Sequence, residues 1–283
     1  MRRVAIVTDS ASDLDPATAA AWGIVLVPLI AIFGEEEYRA GVDMSAREFW
    51  ARLTAPGAPF PKTAAASSGA FQAAFEQCFA EGAEAVVCIT VAGTLSATLK
   101  SAQIARDALP GREIHVVDSW GASMIEGLLA ELAAEMADAG ESAAAIAAEV
   151  ERRIPDTRLF VVLDTLDYLV RGGRIGRGRA RVGAMLSVKP LMTVLDGVVD
   201  VVDRPRTRSK ARQRFIEAVT ARPVERLVLL GTPDDPAVPE VGRDLARAVG
   251  IDPATLPTEI IGASIGPHVG PGAYGAVVLW RRP

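Results

Sequence analysis

The stretch RVAIVTDSASD, residues 3–13, opens the chain with a short aliphatic run that ends in hydroxyl and carboxylate side chains. The run from Arg3 to Thr8 predicts a buried strand. Asp15 followed by Pro16 predicts the start of a short helix, because aspartate caps helix N-termini and proline fits the first helical turn. The rest of the first half repeats this order of short apolar runs and helical patterns, which is typical of a parallel sheet with crossover helices.

Local patterns in the first half predict where further elements begin and end. The apolar run from Ile24 to Phe33 predicts one strand, and Gly34 predicts a turn that continues through the acidic residues up to Glu37. Further on, Ser96 predicts the N-cap of a helix that ends at Leu109.

The second half has a different pattern. Two apolar runs, 187–195 and 198–203, flank Asp196-Gly197 and predict a hairpin, because Asp-Gly supplies the positive φ angles of a tight turn. Because the two strands of a hairpin pair antiparallel, we expect a sheet that contains both antiparallel and parallel strand pairs in this half. We therefore predict an α/β fold of two domains, an N-terminal α/β/α domain with a parallel sheet over residues 1–158 and a C-terminal α/β domain with a mixed sheet over 159–283.

Composition excludes several classes of protein. Half of the 283 residues are hydrophobic and 23% are charged, which fits a globular chain and excludes disorder. No run is long enough for a transmembrane helix or a signal peptide, so we expect a cytoplasmic protein. Cys78 and Cys88 lack CxxC spacing and are expected to be core residues, and the only histidines are His115 and His268. We therefore expect neither a metal site nor another cofactor.

Charge is distributed unevenly along the chain. Residues 1–158 contain 12 Lys and Arg against 22 Asp and Glu, whereas residues 159–283 contain 18 against 13. Arginines concentrate between Arg171 and Arg181 and again from Arg204 to Arg214. This basic zone is either a solvated face or a binding surface for a phosphate, a membrane or an acidic protein. Nucleic acid is not expected, because the chain is acidic overall and no aromatic residues alternate with the arginines.

Hydroxyl and carboxylate side chains follow several of the predicted parallel strands. Asp9 and Ser10 follow the first strand, Ser96 follows a later one, and Asp118-Ser119 follows the next. Since the carboxyl ends of parallel strands share one edge of a sheet, these side chains are expected to converge where helix N-termini favour a small anion. The alternative is that each hydroxyl only caps its own helix.

The glycine-rich segments offer one candidate reactive group. His268 lies among four glycines and two prolines in residues 266–275, which predicts a loop that holds the ring in a site. The Gly172-Gly173-Arg174 segment lacks the spacing of a nucleotide-binding loop. A hydrolase using Ser10 or Ser96 with His268 and Asp118 remains open, although no Gly-x-Ser-x-Gly elbow is present.

Five ordered motifs are distributed over the whole chain. They are Thr8-Asp9-Ser10-Ala11-Ser12-Asp13, Leu95-Ser96-Ala97-Thr98-Leu99-Lys100-Ser101-Ala102, Val117-Asp118-Ser119 with Ser123, a central signature from Leu166 to Leu191 that contains Gly172-Gly173-Arg174-Ile175-Gly176, and His268-Val269-Gly270-Pro271-Gly272-Ala273. Together they resemble the motifs of the DegV family, which includes the fatty-acid-binding subunits (FakB type) of bacterial fatty acid kinase.

This resemblance implies a carrier and not an enzyme. A long-chain fatty acid would lie between the two domains, with its carboxylate on Thr63, Ser96 and His268 and its tail in an apolar tunnel. Other residues are expected near this pocket, namely Asp9, Ser10, Ser119, Gly172 and Gly173. A separate ATP-dependent kinase would phosphorylate the carboxylate, and Arg174 with its basic neighbours would dock that kinase or make transient contact with an anionic membrane.

The chain departs from the family pattern near the expected head-group site. Alanines occupy positions 64, 65, 66 and 97, Leu99 replaces a tyrosine, and Ser187 stands where asparagine is usual. These changes bear on acyl-chain preference and on kinase partnership. An enzyme that uses His268, either a hydrolase or a phosphotransferase similar to dihydroxyacetone kinase, is the alternative.

Overall fold

The computed structural model describes residues 3–175 and 188–282, so most of the predicted glycine-arginine segment, with Gly176 and Ser187, lies outside the described residues. The strands are β1 Val4–Asp9, β2 Ile24–Val27, β3 Ile30–Phe33, β4 Glu36–Arg39, β5 Lys62–Ala64, β6 Ala85–Thr90, β7 Glu113–Asp118, β8 Thr157–Val162, β9 Leu191–Leu195, β10 Val198–Asp203, β11 Val224–Gly231, β12 Thr258–Ile260 and β13 Tyr274–Trp280. The helices are α1 Pro16–Ala21, α2 Ala46–Leu53, α3 Ser68–Ala80, α4 Thr98–Asp107, α5 Met124–Asp138, α6 Ala143–Arg153, α7 Asp167–Arg171, α8 Arg208–Val219, α9 Ala237–Val249 and α10 Gly266–Val269.

A four-stranded parallel sheet forms the centre of the first half, in the order β2-β1-β6-β7. Every residue of β6 is buried, which is expected of a strand covered on both faces. One face packs against Phe71 and Phe75 of α3, and the other against α5 and α6. This arrangement confirms the predicted α/β/α architecture.

A small antiparallel sheet, β4-β3-β5, was not predicted. The prediction of one strand from Ile24 to Phe33 is wrong, because the chain leaves the parallel sheet after Val27 and enters the small sheet at Ile30. Pro28 lies at this break, and proline has no N–H to give to a sheet. The acidic residues after Gly34 are also more than a turn, since Glu36 begins β4 and pairs with Phe33.

The second half forms a six-stranded mixed sheet, in the order β10-β9-β8-β13-β11-β12. The predicted hairpin is confirmed, because β9 and β10 pair antiparallel and Asp196 and Gly197 have φ angles of 50° and 70°. One face of the sheet packs against α8 and α9, and the other lies toward α5 of the first half. The α/β fold with a parallel and a mixed sheet is therefore confirmed, while the division at residues 158 and 159 stays a prediction.

Within the described ranges, no helix is both long and apolar enough to cross a bilayer. Nor do these ranges contain a group of three or more His, Cys, Asp and Glu side chains arranged to hold a metal ion.

Candidate functional site

A narrow, mainly apolar cavity is lined by residues from both halves of the chain. Its wall includes Val91, Leu95, Leu163, Leu169, Met192 and Val194. Met192 and Val194 come from the inner face of β9, and Leu163 directly follows β8. Such a wall suits a hydrocarbon chain, since apolar surface is transferred from water on binding.

Seven polar residues also line this cavity, and they include all three residues expected to hold a carboxylate. They are Thr63, Ser96, Ser123, Arg174, Thr193, Ser264 and His268. The small sheet positions Thr63, because β5 pairs with β3 and places Thr63 opposite Ala31. The Thr63 Oγ1 atom lies 3.4 Å from His268 Nε2. The structure thus brings together a strand and a helix that are 205 residues apart.

Ser96 lies just before α4 but is not its N-cap. The cap position is Ala97, whose φ and ψ angles of −73° and −2° are helical, so the predicted capping role is wrong by one residue. The Ser96 Oγ atom nevertheless accepts a hydrogen bond from the Thr98 backbone N–H and lies 2.8 Å from Thr98 Oγ1. This places a hydroxyl group beside the first turn of α4.

His268 lies on a one-turn helix, α10, and not in a loop as predicted. Gly266 begins this turn and Pro267 follows it, because the fixed φ angle of proline suits the first turn of a helix. The ring packs directly against Gly172, where an added Cβ atom would lie 2.2 Å from His268 Nδ1. A similar contact occurs at Gly270, where a Cβ atom would lie 2.3 Å from Tyr168 Cδ2. Helices α7 and α10 are therefore in contact at positions that only glycine can occupy without displacement.

The His268 imidazole is neutral around pH 7. Burial, with a smaller effect from the positive charge of Arg174, lowers the pKa of His268 to about 4. Its buried Nδ1 atom has no hydrogen-bond partner among the described residues. A neutral ring has one N–H donor and one acceptor, so it can join a hydrogen-bond network but carries no charge toward a ligand.

Arg174 supplies the positive charge at this end of the cavity. Its Nη1 donates to the Gly172 carbonyl at 2.8 Å and its Nε to the Leu95 carbonyl at 3.3 Å. No described carboxylate forms an ion pair with it. A half-buried guanidinium with only carbonyl partners can accept an anion in the cavity. Its expected role in partner docking stays a prediction.

The cavity wall does not include the other residues that were predicted to lie near the pocket, which are Asp9, Ser10, Ser119, Gly172 and Gly173. Of these, Gly172 contacts His268, which is itself a wall residue. Asp9 is buried and accepts the N–H groups of Ala11 and Val91 at 2.9 and 3.0 Å, and burial raises its pKa to about 6. Ser119 is buried and its Oγ accepts the Gly121 N–H at 3.2 Å. These two residues order the loops after β1 and β7.

The other two have different surroundings. Ser10 Oγ accepts the Leu29 N–H at 2.8 Å and lies 3.0 Å from Ser264 Oγ. Gly173 has a φ angle of 72°, and an added Cβ atom would meet nothing within 4 Å.

The hydrolase alternative is not supported by the hydrogen bonds of its members. The two Asp118 oxygens accept the N–H groups of Trp120 and Gly93, at 2.8 and 3.2 Å. Ser10 is engaged by Leu29 and Ser264. Among the described residues, the hydrogen-bond partner of the His268 ring is the Thr63 hydroxyl and not a carboxylate. The structure therefore does not assemble a Ser-His-Asp relay from these residues.

Three of the six basic residues from Arg204 to Arg214 form ion pairs with carboxylates of the described residues. Arg208 contacts Asp164, Arg212 contacts Glu240 and Asp244, and Arg214 contacts Asp203 and Glu217. These pairs leave less free positive charge here than the sequence alone predicts.

Sequence reasoning did not place three further polar residues in the cavity wall, namely Thr193, Ser264 and Ser123, the last of which belongs to the motif that begins at Val117. Ser123 donates through Oγ to Asp13 Oδ2 at 2.6 Å. No motif or spacing marked Ser264, since an isolated serine between Ala263 and Ile265 carries no signal of its own.

Comparison with known proteins gives one consistent result. A DegV family sequence model, described as "Uncharacterised protein, DegV family", matches residues 3–281. A DegV domain-containing protein of Caldanaerobacter subterraneus is 35% identical over 279 residues, which cover 97% of this chain and 98% of that protein.

Solved structures of similar proteins share the whole fold. A fatty-acid-binding DegV family protein from Thermus thermophilus has a TM-score of 0.90 and 32% identity, covering 99% of this chain and 100% of that one. A stearic-acid-binding protein from Eubacterium ventriosum has a TM-score of 0.85 and 27% identity, covering 99% of this chain and 98% of that one. The match of the family sequence model along nearly the entire chain shows that this protein belongs to the DegV family.

Proposed function

We propose that this protein binds one long-chain fatty acid between its two domains and presents the carboxylate to a separate kinase, which forms the acyl phosphate. The observation that carries the proposal is the apolar cavity with Thr63, Ser96, His268 and Arg174 in its wall. Fatty-acid binding by the structurally similar Thermus and Eubacterium proteins supports the same ligand class.

The two parts of the ligand would contribute differently to binding. Each buried methylene contributes about 0.8 kcal/mol, so the tail supplies most of the affinity. The hydroxyl groups of Thr63 and Ser96 and the neutral His268 ring would hold the carboxylate through hydrogen bonds and fix its position. Arg174 would balance its negative charge, which removes much of the cost of a partly desolvated carboxylate.

A carrier role agrees with the state of His268. A general base needs a pKa near the working pH and a partner that orients it, whereas here burial holds the pKa of His268 at about 4. The ring would position the ligand without taking a proton. Catalysis would come from the kinase in the cytoplasm, with docking through Arg174 and with transient membrane contact during ligand exchange.

The proposal is tested by organic extraction of the natively purified protein followed by mass spectrometry. We expect close to one C14 to C18 fatty acid per chain, which palmitic acid replaces after delipidation. Hexadecanol, which has the same tail and no carboxylate, is the control and should bind more weakly. Reconstitution with a fatty acid kinase should yield acyl phosphate only when the carrier is present. An empty cavity that does not take up palmitic acid, or turnover of esters by the protein alone, would contradict the proposal.

A further inference from the structure

The buried Ser264 and the half-buried Ser10 form a hydroxyl pair beside the cavity. Their Oγ atoms are 3.0 Å apart, and either can be the donor. Ser264 is 5% exposed and lines the cavity. Ser10 also accepts the Leu29 backbone N–H at 2.8 Å.

The two hydroxyl groups have more hydrogen-bond donors than there are acceptors among their described neighbours. Two hydroxyl groups carry two hydrogen atoms, and the contact between them uses one. The Leu29 N–H donates a further hydrogen bond to Ser10 Oγ and occupies one of the lone pairs of that oxygen. When Ser10 donates to Ser264, the Ser264 hydrogen has no further partner among the described residues. A hydroxyl in this state can donate to a ligand in the cavity.

Two separate paths place this hydroxyl near the carboxylate end. Along the small sheet, Ile30 pairs with Ala64, so Leu29 lies level with Ala65, two residues or about 7 Å beyond Thr63. Along the chain, Ser264 precedes His268 by four residues and lies in the turn that leads into α10, where the Gly266 N–H donates to the Gly262 carbonyl at 2.8 Å. Both connections place Ser264 on the same cavity wall as Thr63 and His268, and therefore near the carboxylate end.

We propose that Ser264 is a specificity residue that binds an oxygen substituent on the acyl chain, a hydroxyl group near carbon 3. This inference rests on the proposed fatty-acid-binding function. Ser123 complements it from the same cavity wall, because its own hydrogen is given to Asp13 and its oxygen can still accept. A ligand hydroxyl could therefore accept from Ser264 and donate to Ser123.

An unsubstituted chain and a hydroxylated chain differ in what they offer this wall. A plain methylene leaves the Ser264 hydrogen without a partner against apolar surface, which is unfavourable. A 3-hydroxyl group supplies the missing acceptor but loses its own hydration on entry. One net hydrogen bond corresponds to up to about tenfold in affinity. This gain should offset the desolvation of the added hydroxyl group.

The test compares two matched pairs of acids on the delipidated protein by calorimetric titration. We expect 3-hydroxypalmitic acid to bind at least as tightly as palmitic acid. The Kd of 12-hydroxystearic acid should exceed that of stearic acid by about tenfold or more. In the Ser264→Ala variant, the Kd ratio of 3-hydroxypalmitic to palmitic acid should rise about tenfold, and Ser264→Thr should restore it. The positional comparison needs no variant and remains decisive if Ser264→Ala fails to fold.

Three results separate the inference from the proposed function. If palmitic and stearic acids do not bind, the proposed function itself fails. If both bind but both hydroxylated acids are rejected equally, Ser264 does not recognise a substituent and the inference is overturned. An unchanged ratio in Ser264→Ala also overturns it and indicates that the hydroxyl pair binds only water.

Discussion

The contact between Gly172 and His268 makes Gly172→Ala the most informative substitution in this protein. Gly172 has φ and ψ angles of −70° and −14°, which alanine adopts without strain. The added Cβ atom would nevertheless lie 2.2 Å from His268 Nδ1 and 3.1 Å from the Tyr168 carbonyl oxygen. Overpacking of this kind costs about 1–3 kcal/mol, and here the ring must shift from the position in which its Nε2 atom lies beside Thr63. Loss of one hydrogen bond to a charged ligand group then raises the Kd for palmitic acid about ten- to a hundredfold.

Gly173→Ala is the matched control. Gly173 has a φ angle of 72°, so alanine there costs about 1 kcal/mol of backbone strain, but its Cβ atom meets nothing within 4 Å. We expect Gly173→Ala to lower the melting temperature and leave affinity unchanged. Fluorescence titration and thermal unfolding of both variants separate the two effects. Equal affinities of Gly172→Ala and the parent would refute the claim that the position of His268 determines carboxylate binding.

Three further predictions concern charge and protonation. His268→Gln should keep much of the palmitic acid affinity and His268→Ala should lose it, as measured by titration; loss of phosphorylation in His268→Gln at full affinity would instead favour an enzymatic role. Arg174→Ala should raise the Kd for palmitic acid, because the carboxylate loses its balancing charge, and at saturating palmitic acid it should also reduce acyl phosphate formation in a reconstituted kinase assay, with added salt reducing that formation similarly in the parent. Unchanged turnover at saturation would limit Arg174 to charge balance in the cavity. Burial raises the pKa of Asp13 to about 7, so its contribution to stability is present at low pH and is lost as the pH rises through about 7. The melting temperature of Asp13→Asn minus that of the parent should therefore increase from pH 4 to pH 8. Melting temperatures that change in parallel with pH in the two proteins would contradict this.

Much of the fold could be predicted because local signals and tertiary structure agree. The aliphatic β1 and the capped α1 follow directly from residue type, and Asp196-Gly197 specifies its own turn. The small antiparallel sheet could not be predicted in the same way. Its strands are three or four residues long, and β5 pairs with β3 from more than 30 residues away, so its stability comes from contacts that sequence periodicity does not show.

The candidate site, like the fold, could be predicted only in part from the sequence. The family resemblance led to Thr63, Ser96 and His268, and all three line one cavity. The strand-edge argument was less successful for Asp9 and Ser119, because backbone N–H groups of neighbouring loops use their oxygens. Whether a hydroxyl faces a ligand or its own loop depends on backbone direction after the strand, which residue type does not determine.

The most direct test of the carboxylate site is the carbon-13 NMR signal of carboxyl-labelled palmitic acid bound to the protein. The account predicts one bound carboxyl resonance at equimolar ligand, which shifts in Thr63→Ala and in Ser96→Ala and shifts non-additively in the double variant, since both hydroxyls serve one carboxylate. Thr220→Ala is the control, because its hydroxyl donates to the Ile216 carbonyl at the end of α8 and is not part of the cavity wall. A bound resonance that is the same in all four variants as in the parent would contradict the placement of the carboxylate on Thr63 and Ser96.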